Sequence, residues 1–112
     1  MKLTTEKFQQ ILRLQKKVEH QKNENQPFGE NQKIRFDWSS EHEQALYDYW
    51  DGLEELERQE LVAMKWMGEM EEPPEEFPAL VTEARMHTNI AELHKSKLSE
   101  YWEKAWETLH DA

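Results

Sequence analysis

Between Leu53 and Met67 the apolar residues fall on one helical stripe. Leu53, Leu56, Ala63, Met64 and Met67 define it, and Leu61, Val62 and Trp66 widen it until only Lys65 is polar in the last two turns. A helix apolar on so many sides predicts that the rest of the chain packs around it. Ahead of it, Thr4 or Thr5 caps a first helix running to about Lys22, with Phe8, Ile11, Leu12 and Val18 at helical spacing. Its apolar stripe is thin, because Gln9, Gln10, Gln15 and the lysines cover the rest, so it belongs along an edge of the bundle.

Residues 23–38 carry Asn-Glu-Asn, Gln-Pro-Phe-Gly and Glu-Asn-Gln without helical period and read as a loop, anchored by Phe28, Ile34, Phe36 and Trp38. Ser40-Glu41-His42-Glu43 fits a capping box and opens a second helix through Ala45, Leu46, Tyr49 and Trp50, ended by Gly52. Gly68 is placed to end the central helix, and Glu69 to Glu76 follow as an acidic connector stiffened by Pro73 and Pro74. Phe77, Leu80, Val81, Ala84, Thr88 and Ala91 then trace a fourth helix ending near Leu93. A last helix, capped by Ser96, puts Leu98, Tyr101, Trp102, Ala105, Trp106 and Leu109 on its core face.

Five helices around one apolar segment make an all-α, irregular bundle, and 112 residues provide one domain. The domain divides into a basic first helix (1–22), a loop (23–38) and a helical core (39–112). Three Gly and four Pro in a chain that is 34% charged suit helices with short connections better than strands and turns. The absence of cysteine excludes disulfides and thiolate metal sites, and the lack of a basic-then-apolar leader points to the cytoplasm. The longest apolar run, Leu61 to Met64, falls far short of the ~20 residues that span a bilayer, so no membrane is expected as a partner.

Charge changes the picture most. Up to Lys22 there are six Lys or Arg against two acids, whereas from Asn23 to Thr82 sixteen acids face four bases. An acidic body repels nucleic acid, and the basic first helix has that body to lie against.

The runs Tyr49-Trp50-Asp51-Gly52-Leu53, Glu60-Leu61-Val62-Ala63-Met64-Lys65-Trp66-Met67-Gly68 and Leu98-Ser99-Glu100-Tyr101-Trp102-Glu103 resemble a family of short bacterial proteins catalogued only as a domain of unknown function. The likeness covers about residues 47–109 and rests mostly on core positions, so it implies a helical fold more than an activity. The acidic continuation after Gly68 departs from the basic or glycine-rich one that the resemblance leads one to expect.

Candidate chemistry is sparse. His20, His42, His87, His94 and His110 are scattered, no His-Glu-x-x-His occurs, and Glu107 to His110 is a single Glu-x-x-His where paired copies hold two metals. Ser39, Ser40, Ser96 and Ser99 fall at helix starts, where capping explains them, and there is no nucleophile elbow or phosphate-binding glycine loop. No enzyme activity, cofactor or metal is therefore assigned.

The expected function is a non-enzymatic protein-binding module. Its acidic surface would dock on a basic, nucleic-acid-binding partner, as a phage-type inhibitor or DNA mimic does. Glu54, Glu55, Glu57 and Glu60 are expected on the outer side of the central helix, and Glu69, Glu71, Glu72, Glu75 and Glu76 on the connector. Among the aromatics, Tyr47, Trp50, Trp102 and Trp106 are the candidates for an exposed patch, with Trp50 and Trp102 assigned to the partner surface. The alternative is a cytosolic protein that self-associates, as a homodimer, and holds a small ligand or metal near His87 and Glu83.

Overall fold

The computed structural model describes residues 1–25 and 32–111, with side chains at 1–20 and 41–110. Five α-helices follow one another: α1 (Thr5–Asn25), α2 (Gln32–Gly52), α3 (Glu55–Met70), α4 (Phe77–Glu83) and α5 (Leu98–Asp111). Short 3₁₀ turns lie at Pro74–Glu76, Ala84–Met86 and Ile90–His94. There is no strand among the described residues, and the fold is the expected all-α bundle.

The apolar segment sits where its pattern requires. α3 packs against α5 on one side and α4 on another, while α1 packs along α2 and touches α5. Leu61, Ala63 and Met64 have no exposed surface, and Leu53, Val62 and Met67 are also buried. Full burial of each large side chain contributes roughly 1.5–3 kcal/mol. Leu56 departs from the expected stripe and is 43% exposed. It stands on the first turn of α3 and faces away from the bundle, into which its neighbours Leu53 and Glu57 are already buried, at 6% and 1% exposure.

Several local signals were overridden. Much of the expected loop over 23–38 is helix, because α1 continues to Asn25 and α2 begins at Gln32. Neither Gly nor Pro occurs from Glu30 to Asp51, so nothing interrupts α2. The capping-box sequence from Ser40 to Glu43 consequently lies inside that helix. Phe28 lies outside the described residues, as do the side chains of Ile34, Phe36 and Trp38.

Gly68 does not end α3. The helix runs two residues further and stops at Glu71, whose φ of 56° is left-handed. The Glu72 amide closes the end by donating to the Met67 carbonyl at 3.1 Å. What Gly68 provides instead is room. A Cβ there would lie 2.3 Å from the backbone oxygen of Tyr101, so α3 and α5 cross with backbone against side-chain-free backbone.

The expected fourth helix is also broken. α4 ends at Glu83, and Asn89 starts the separate Ile90–His94 turn, its side chain accepting from the Ala91 amide at 2.8 Å. Thr88 and Asn89 favour turns and caps over helix interiors, which is why the apolar period alone misleads here.

The N-terminus of α5 is capped from a distance. Glu19 of α1 accepts from the Ser99 amide at 3.0 Å and from the Ser99 hydroxyl at 2.7 Å. This carboxylate, rather than the expected Ser96, meets the unpaired donors at the start of the helix, where the backbone dipole favours a negative charge.

Candidate partner-binding surface

The acidic residues divide into those the fold uses and those it leaves to solvent. Glu57 and Glu60 were expected on the outside of α3 and are buried, at 1% and 4% exposure. Both lie on the apolar progression, at spacings of four and seven from Leu53, which turns them inward. Glu60 accepts from the Lys2 amide at 2.8 Å and the Leu3 amide at 2.7 Å, tying the first residues to the central helix. Glu57 accepts from Lys7 Nζ at 2.7 Å and from the Glu54 amide at 2.8 Å. Burial by itself pushes the Glu57 carboxyl up, but the bonds from Lys7 and the Glu54 amide outweigh it and hold it below its ordinary value.

A carboxyl depressed in the folded state contributes stability that is present above its unfolded value and lost as pH falls through the folded one. Glu57→Gln should therefore cost about 1–3 kcal/mol near neutral pH. The cost should shrink as the pH drops below the ordinary carboxylate range. Urea unfolding of both proteins across acid pH checks this, and a gap that stays constant would refute it.

Most of the other expected contact carboxylates are also engaged within the chain. Glu54 pairs with Lys2 at 3.0 Å, Glu55 with Arg58 at 3.2 Å, Glu71 with Lys104 at 2.6 Å, and Glu69 with Lys95. The bond from Lys104 holds the Glu71 carboxyl below its ordinary value, and Glu69 raises the Lys95 ammonium. Two lysines of α1 lie against the acidic body: Lys7 reaches Glu57, and Lys16 reaches Glu103 at 3.0 Å. Glu72, Glu75 and Glu76 are the members of the set with no ion pair among the described residues. They frame the Pro74–Glu76 turn, where Pro73 and Pro74 stiffen the backbone.

The two tryptophans assigned to the surface belong to the core. Trp50 and Trp102 are each 1% exposed. Trp50 Nε1 donates to the Thr88 carbonyl at 3.1 Å and Trp102 Nε1 to the Leu61 carbonyl at 2.9 Å, so each ring is buried with its polar atom satisfied. Trp106 is half-buried and stacked between Phe8, at 4.2 Å, and His110, at 4.1 Å. Tyr47 is half-buried, with its hydroxyl 2.7 Å from His94 Nε2 and donating to Glu43 at 3.2 Å. Burial and the neighbouring Glu43 charge push this hydroxyl up to about 12.

The alternative reading names His87 and Glu83. α4 stops at Glu83, and His87 follows a 3₁₀ turn with a φ of −132°, so the two residues share no helical face. His87 instead meets the edge of Trp66 at 5.4 Å. Among the described residues, no three His, Asp or Glu side chains lie close enough to share a metal ion. Nor is any described helix long and apolar enough to cross a membrane.

Sequence reading missed Glu19, Gln15 and Glu60 as internal anchors. For two of them the signal was present, since Gln15 and Glu60 each occupy an apolar-stripe position where a polar residue needs a buried partner. Glu19 carried no such mark.

An apolar central helix packed between α4 and α5, with buried carboxylates fastening the chain's first residues, defines a small helical-bundle domain. The chain belongs to the family described as Protein of unknown function (DUF3775), which matches residues 43–110, more than half of its length. No curated protein and no solved structure matches it.

Proposed function

We propose that this protein is a non-enzymatic binding module that presents the carboxylates of its double-proline turn to a basic segment of a partner protein. The observation that carries the reading is the contrast within the acidic set. Glu54, Glu55, Glu57, Glu69 and Glu71 are matched by the chain's own cations, whereas Glu72, Glu75 and Glu76 have no such match among the described residues. The stiff turn holds these charges ready, which lowers the ordering cost of binding. Met70, 54% exposed on the last turn of α3, supplies an adaptable apolar contact beside them. Three unmatched carboxylates in one turn are too few to imitate the phosphate array of a duplex. The partner surface is accordingly a short run of Arg or Lys rather than a whole nucleic-acid groove.

The test is local. An arginine-rich peptide is titrated at low and moderate salt into the wild type, into Glu72→Gln/Glu75→Gln/Glu76→Gln and into the charge-matched Glu6→Gln/Glu41→Gln/Glu107→Gln. Exposed pairs contribute roughly 0.2–1 kcal/mol each, so the first triple variant should bind about tenfold more weakly at low salt. The second should stay near wild type. Equal losses in both would show that net charge alone attracts the peptide, and the reading would fail.

A further inference from the structure

We infer that the partner is a second copy of this chain, the double-proline turn of one copy docking on the basic face of α1 of the other, where Glu72, Glu75 and Glu76 meet Arg13 and Lys17. This rests on the reading above, in which that turn receives a short run of Arg or Lys.

The chain itself carries such a run. Gln9, Leu12, Arg13, Lys16, Lys17 and His20 recur at helical spacing along α1 and line a shallow cleft of about 500 Å³. Arg13, Lys16 and Lys17 bring three cations to it, and no carboxylate stands among these residues, on a chain whose net charge is −10. Lys16 is held by Glu103. Arg13 and Lys17 are exposed and make no ion pair among the described residues, Arg13 donating only to Gln10 at 3.0 Å. One molecule therefore presents an unmatched cationic set on α1 and an unmatched anionic set on the turn.

The two sets do not meet inside one copy, because α5 stands between them. Lys16, on the basic face, reaches Glu103 of α5, while Glu71, just before the turn, reaches Lys104. Successive residues of a helix point about 100° apart, so α1 and the turn approach α5 from different sides. A second copy can bring the two together. Met70, 54% exposed beside the turn, and the half-buried Leu12 give each side of the junction an apolar contact as well.

Two copies with a net charge of −10 also repel each other as wholes, and distance decides which effect wins. The molecule is 25 Å across at its narrowest, which keeps the centres of a pair well apart. The Debye length is ~8 Å at ~0.15 M salt and ~30 Å at ~0.01 M. Near physiological salt the overall repulsion is screened away, whereas charges in contact at the junction are screened far less. Association is accordingly strongest at intermediate salt and weaker both below and above it.

Sedimentation equilibrium of the full chain at millimolar concentration, with salt varied from ~0.01 to ~1 M, should show reversible association with that maximum. Arg13→Gln/Lys17→Gln and Glu72→Gln/Glu75→Gln/Glu76→Gln should each self-associate about tenfold more weakly. The charge-matched Glu6→Gln/Glu41→Gln/Glu107→Gln should associate at least as well as the wild type. Mixed in equal amounts, the first two variants should form a one-to-one complex at concentrations where neither self-associates, since each keeps the surface the other lacks. A wild type that stays monomeric at every salt concentration, or a mixture that does not assemble, overturns the second copy as partner. The arginine-rich peptide keeps the two readings apart: if it binds saturably at the turn of a chain that remains monomeric, the self-association is lost and the binding turn stands.

Discussion

Gly68→Ala is expected to destabilise the protein by about 3 kcal/mol, lowering the melting temperature by roughly 12–20 °C. In an exposed helix interior the same change stabilises by about 1 kcal/mol, because alanine is the better helix former. Here the added methyl would sit 2.3 Å from the Tyr101 oxygen and 2.8 Å from two further backbone atoms of that residue. Backbone cannot rotate aside as a flexible side chain can, so α3 and α5 must separate. Their separation loosens the packing of Leu61, Met64 and Trp102 between them. Gly52→Ala is the matching control: nothing lies within 4 Å of a Cβ there, and its φ is not positive. It should be neutral or stabilising by up to about 1 kcal/mol. Thermal and urea unfolding of both variants checks the pair, and a Gly68→Ala protein as stable as the wild type would mean that the helices do not cross at this point.

Glu19→Ala should cost about 2–4 kcal/mol, well above the usual value for a partly exposed helix glutamate. It removes the acceptor for the Ser99 amide, the Ser99 hydroxyl and Gln15 Nε2 in one step. Ser99 and Gln15 are both buried, so water does not readily replace the lost bonds. Glu19→Gln keeps one acceptor oxygen and should fall between the two. Ser96→Ala should change stability by less than about 0.5 kcal/mol, because Ser96 is exposed and not the residue that caps α5. Urea titrations of the three variants decide the matter. Should Ser96→Ala prove costlier than Glu19→Ala, the long-range cap would be refuted.

The acidic surface expected from composition survives in part, and the reason is geometric. Spacing alone identifies Glu54, Glu55, Glu69 and Glu71 as solvent-facing, but it does not say which lysine folds back on them. Lys2 and Lys104 lie 52 and 33 residues from their carboxylates, too far along the chain for local pattern to pair them. Glu57 and Glu60 are more legible than a count of acids suggests. They occupy stripe positions, and a carboxylate on an apolar stripe signals a buried partner as readily as it signals an exposed face. Trp50 and Trp102 belong to the same lesson from the other side. Each falls on an apolar face beside residues that are buried, and their indole N–H groups find backbone acceptors inside the bundle.

Read alone, the chain established that it is all helical, that Leu61 to Met67 lie at the centre and that α5 buries Leu98 and Ala105. Those follow from the 3.6-residue period, a property of neighbours in sequence. Tertiary structure decided where α2 begins, why α3 continues past Gly68, and that Glu19 caps a helix 80 residues away. It also decided which carboxylates remain unmatched. Each of these depends on the distance between chain segments remote in sequence, and hydrogen bonds, ion pairs and backbone clashes are settled by that distance rather than by local periodicity.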